Sequence, residues 1–149
     1  MNINDFKYAW RFTDKNHAEF SSKELCDIKI IGSGETRTKW DKIVKADVFE
    51  RSSFIQSIVA MTAPVFISDC GWGDIQAEHK TKQIISEYFK ENNVTNIALL
   101  YDNNTALQTS VALFCERWSD FFYPNDSIVI ALDSGFMIYY EDILYGAYR

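Results

Sequence analysis

The sequence predicts an α/β fold, a single domain whose central sheet carries packed helices and which ends in a helix followed by a C-terminal β-hairpin. Three observations predict it. Residues 65–67, 96–101 and 128–132 are short apolar runs, the pattern of strands covered on both faces. Between them lie stretches with apolar residues at helical spacing, so strands and helices alternate. Asp133-Ser134-Gly135 is turn chemistry between the last apolar run and residues 136–140, which return as a second strand.

The elements follow in order. Tyr8, Trp10 and Phe12 alternate along residues 6–12, which predicts a strand with one buried face. Ser22 with Leu25, Ile28 and Ile31 gives a cap and an i, i+3 stripe, hence a short helix ending near Ile31. Gly32-Ser33-Gly34 breaks it. A second helix is predicted over 36–49, with Trp40, Ile43, Val44 and Val48 facing inward. Residues 52–61 fit a helix or an extended run. Residues 1–60 are thus expected to form mostly a helical layer, and residues 61–149 the α/β part of the same domain.

After Pro64 a short strand stops at Asp69-Cys70-Gly71-Trp72-Gly73-Asp74. A helix over 75–91 follows, with Ile84, Ile85, Tyr88 and Phe89 as its apolar face and Asn92-Asn93 closing it. The strand 96–101 stops at Asp102-Asn103-Asn104. Leu107, Val111, Phe114 and Trp118 then fall on one helical stripe, so a helix is predicted from Thr105 to near Tyr123, where Pro124 ends it.

Composition narrows the functional classes. The chain has 149 residues, 47% of them hydrophobic, with two prolines and six glycines, which is enough for one ordered core. Net charge is −6. Residues 51–149 carry twelve acidic and six basic groups and so hold the whole excess. Such a surface repels phosphate backbones, so nucleic acid is not an expected partner, whereas a basic protein is. The competing reading is that acidity only keeps the domain soluble. Three widely spaced cysteines without a C-x-x-C argue against disulfides. No signal peptide or membrane span is expected, which together with free thiols suggests a cytoplasmic location.

Enzymatic candidates are few. Asp69, Asp102 and Asp133 each follow a predicted strand. In a parallel sheet such positions converge and could hold Mg²⁺ for a hydrolase. Asp also ends strands and caps helices without any such role. Gly71-Trp72-Gly73-Asp74 is neither a dinucleotide fingerprint nor a P-loop, and reads as a helix entry capped by Asp74. His79 lies beside Glu78 and one turn from Asp74, but no zinc spacing supports it, and His17 sits in a polar loop. No cofactor or metal is therefore expected.

Aromatics and carboxylates crowd the C-terminal third, where ten of the 23 aromatics lie between Phe114 and Arg149. Many must be core, yet Tyr139 and Tyr140 are strand neighbours and point to opposite faces. An exposed tyrosine among carboxylates is the anatomy of a protein-binding face.

The pattern Trp118-Ser-Asp-Phe-Phe-Tyr-Pro-Asn-Asp, then Ile-Val-Ile, then Tyr139-Tyr140-Glu141-Asp142, resembles the carboxyl-terminal region of small bacterial immunity proteins. These accompany polymorphic or contact-dependent growth inhibition toxins. The likeness covers about the last third of the chain, and Tyr8-Ala-Trp10-Arg-Phe12 adds to it. It implies a non-enzymatic protein that binds and blocks one cognate toxin domain, a nuclease. Asp120, Asp126, Glu141 and Asp142 would then meet basic toxin residues, with Trp72, Tyr139 or Tyr140 as apolar anchors.

Overall fold

The structure is a computed structural model that describes residues 2–44, 67–70, 73–123, 126–133, 135–140 and 142–148. Its centre is a sheet of seven strands among the described residues: β1 (Lys29–Ile31), β2 (Ile67–Asp69), β3 (Asn96–Leu100), β4 (Ala106–Ser110), β5 (Ser127–Leu132), β6 (Gly135–Tyr140) and β7 (Ile143–Tyr148). The strand order is β1-β4-β3-β5-β6-β7-β2. This confirms a mixed α/β domain with helices on a central sheet and a closing helix and hairpin.

Every pairing is antiparallel, which corrects the expectation of strand ends converging as in a parallel sheet. The reason lies at residues 105–110. There the predicted helix gives way to β4, which pairs with β3 directly, Leu99 opposite Leu107. A tight loop replaces the crossover. Thr105 O accepts the Tyr101 N–H at 2.9 Å, and the Asp102 carboxylate accepts the Asn104 N–H at 2.8 Å. Parallel neighbours need a long crossover, and five residues of loop cannot supply one.

Five helices flank the sheet among the described residues: α1 (Trp10–Thr13), α2 (Ser22–Cys26), α3 (Ser33–Val44), α4 (Ile75–Glu91) and α5 (Val111–Arg117). The predicted strand over 6–12 is instead two helical turns. Phe6, Ala9 and Phe12 follow a three-residue period, and the N–H groups of Ala9 and Phe12 bond three residues back. Three alternating rings fit that period as well as they fit a strand, and burial of Phe6 and Phe12 in one core decides it. The helix predicted to end near Ile31 stops at Cys26, and residues 29–31 join the sheet edge as β1. Its cap is Ser21, in a reciprocal box with Glu24, rather than Ser22. Helix α3 starts at Ser33, inside the predicted break, and buries Trp40 and Val44. Its expected continuation over 45–49, the ambiguous residues 52–61, and residues 65–66 of the predicted strand lie outside the described residues.

Helix α4 spans the predicted 75–91 and buries Ile85, Tyr88 and Phe89. Asp74 caps it, accepting the N–H groups of Gln76 and Ala77 at 3.0 and 3.2 Å. Helix α5 covers only part of the predicted 105–123, because Ser110 caps it by accepting the Leu113 N–H at 3.1 Å. A 3₁₀ turn, Trp118–Phe121, completes it.

Two cores result, one on each face of the sheet. Ile97, Leu99, Tyr101, Ile128, Ile130, Met137 and Tyr139 face α1, α4, α5 and the 3₁₀ turn. Ala98, Leu100 and Val129 face the other way, against Trp40 and Val44 of α3. This alternation is the period-2 signature of strands, and it accounts for the unbroken apolar runs in the sequence.

Candidate functional site

The C-terminal residues singled out by sequence gather at one rim of the sheet, where β3 and β6 end and β5 begins. Tyr139 is fully buried, its ring stacked on Phe122 with centroids 4.4 Å apart. Its hydroxyl donates toward the Tyr123 carbonyl and the Asp142 carboxylate, each at 3.2 Å. Tyr140 points to the opposite face and is buried as well. Neither tyrosine is an exposed anchor, which corrects that part of the expectation.

The carboxylates here are engaged within the chain. Asp126 forms a bidentate pair with Arg11 and accepts the Tyr123 N–H at 2.7 Å. Asp120 lies 3.4 Å from Arg117. Asp142 takes a left-handed turn with φ +63°, and its carbonyl accepts the Cys70 N–H at 3.0 Å. Trp72 and Glu141 lie outside the described residues.

Sequence reasoning missed Arg11. Its side chain is 4% exposed, and its guanidinium carbon lies 4.9–5.3 Å from the ring centroids of Tyr8, Trp10, Tyr101 and Tyr123. It also donates to the Phe121 carbonyl at 3.1 Å, which accepts from the Tyr101 hydroxyl at 3.1 Å too. Burial works against the Arg11 charge, but the hydrogen bond it donates to Asp126 and the charge interactions around it leave its pKa raised. Burial also pushes the Tyr101 phenol up. Beside this network the Tyr123 hydroxyl meets His17 Nδ1 at 3.1 Å, and Trp10 packs on both rings with 40% of its surface exposed. The available signal was an arginine inside an aromatic run, a pattern that favours guanidinium stacking.

The three strand-end aspartates do not meet. Asp69 and Asp102 lie at the same end of the sheet, but β2 is separated from β3 by β5, β6 and β7. Asp133 sits in the β5–β6 turn at the opposite end, because β5 runs antiparallel to β3. Among the described residues no three His, Cys, Asp or Glu side chains are grouped to hold a metal. Gly73 has φ +83° and leads into the Asp74 cap of α4, the helix entry expected there, while Gly71 lies outside the described residues.

A different surface is open. Ile75, the first residue of α4, is 72% exposed. It lines a cleft of about 240 Å³ with Glu78, His79, Lys82, Glu116, Trp118 and Ser119, between α4 and α5. Lys82 is bound to Glu116 at 2.7 Å, which lowers the Glu116 pKa. Near this end of α4, the buried Cys70 thiol is pushed up to about 12, first by burial and then by Asp69, Asp142 and Glu78. No helix among the described residues is long and apolar enough to cross a membrane.

A family model described as a protein of unknown function, DUF2947, matches residues 1–142, and the chain belongs to that family. No curated protein and no solved structure matches the chain.

Proposed function

We propose that this chain is an immunity-type inhibitor, a cytoplasmic bacterial protein that catalyses nothing itself and neutralises a cognate toxin domain by binding it. The observation that carries this reading is the acid excess, twelve acidic against six basic groups in residues 51–149. A nuclease toxin holds phosphate with basic side chains, and an acidic protein is drawn to the same basic surface. Charge complementarity of this kind accelerates encounter and discriminates partners. The separation of Asp69, Asp102 and Asp133 favours this reading over a Mg²⁺-dependent hydrolase, which needs those carboxylates within reach of one ion.

The geometry also shifts the expected contacts. Tyr139 and Tyr140 serve the core, and Asp120, Asp126 and Asp142 bind within the chain. The surface offered to a partner is therefore sought on the helical layer rather than on the β6 strand.

The test is affinity capture on the tagged full chain from a native bacterial lysate, at low and at high salt, followed by activity assays. The expected result is one stoichiometric partner, released at high salt, whose isolated domain is toxic or nucleolytic and is inhibited by an equimolar amount of the chain. A captured partner that retains full activity in the complex, or no stoichiometric partner at either salt, overturns the reading.

A further inference from the structure

We infer that the α4–α5 cleft is the docking surface, and that it takes a basic segment of the partner carrying an aliphatic side chain between lysines or arginines. This inference rests on the protein-binding reading above and gives that reading a place on the molecule.

Two features of the cleft select this occupant. The first is size. At about 240 Å³ it falls below the roughly 300–1,000 Å³ of sites that enclose small molecules, and it suits one inserted side chain. Ile75 forms its lip and offers the aliphatic contact, whereas Trp118 at its base is buried and Glu78, His79, Lys82, Glu116 and Ser119 make the rest of the lining polar. The second feature is charge. Lys82 and Glu116 neutralise each other in their ion pair, which leaves Asp74 and Glu78 as the net charge beside the lip. Lys80, the next nearest cation on the helix, is five residues from Ile75 and lies about 140° round the axis. An exposed aliphatic side chain beside carboxylates complements a segment that carries its own aliphatic side chain between cations.

The experiment uses the full chain and three synthetic peptides: one with a leucine between lysines, its Leu→Ser counterpart and its Lys→Glu counterpart. Backbone amide shifts map where each binds. The expected result is that the Lys/Leu peptide shifts Ile75, His79, Lys82, Glu116 and Ser119, and that both counterparts bind at least about tenfold more weakly. Ile75→Ser, which removes the aliphatic contact without adding charge, should produce a similar loss in the chain. That variant should fold normally, because the residue is exposed and the Asp74 cap of the helix is untouched. Glu78→Lys is the second variant and should weaken binding through charge alone. Shifts confined to another surface, or binding indifferent to Ile75→Ser and Glu78→Lys, overturn the assignment. The two ideas fail separately. A captured toxin held equally well by both variants removes the cleft and leaves the inhibitor reading. Peptide binding at the cleft with no toxin captured does the reverse.

Discussion

Arg11 shows how much one side chain can organise. It is buried among four rings, and its charge is matched by Asp126 rather than by water. Removing one member of such a pair leaves the other uncompensated, a loss of about 3–5 kcal/mol when both are buried. Asp126 is 20% exposed, so Arg11→Leu should cost about 3 kcal/mol, read as a lower urea midpoint. Glu24 makes a pH-dependent contribution. Arg117 above all, and the Ser21 backbone N–H, hold its carboxylate down at about 2. A depressed folded-state pKa adds stability that is complete above the unfolded value near 4.3 and is lost as pH falls toward 2. A melting-temperature series from pH 6 to pH 2 should therefore fall less steeply for Glu24→Gln than for the natural chain between about pH 4.5 and 2.

Elements differed in how far their sequence determined them. Helix α4 was legible because its cap, its apolar face and its closing asparagines agree, and Asn93 indeed adopts φ +54°. The β5–β6 hairpin was legible for the same reason, with Leu132 opposite Gly135 across the turn. The stretch 105–118 was not, because Leu107, Val111, Phe114 and Trp118 make a valid helical stripe. What overrides it is tertiary: β4 finds partners on both sides, in β1 and β3, and Ser110 restarts the chain as a helix. The Arg11 network was illegible in another sense, since its members are scattered over residues 8–126 and only the fold assembles them. Local caps make separable predictions. Asp74→Ala should destabilise by about 1 kcal/mol in denaturant unfolding. Ser110→Ala should cost more, about 2 kcal/mol, because the hydroxyl also donates to Asp27 and ties α2 to α5.

At the scale of the whole molecule, the proposed inhibitor role makes charge the guide of encounter. With a net charge of −6, association with a basic toxin domain should slow by about tenfold or more between low and physiological salt, while dissociation changes little. Stopped-flow mixing at several ionic strengths measures this, and a flat dependence would show that the acidity does not guide the partner. The strand order has a consequence for synthesis. Residues 29–31 are completed by residues 106–108, and residues 67–69 by residues 143–145. Each outer strand must therefore wait for a segment made much later. At a translation rate of about 5–20 residues per second, that delay amounts to several seconds. The nascent chain spends this time with an unfinished sheet, and a protein truncated before β7 would lack the neighbour on which β2 docks.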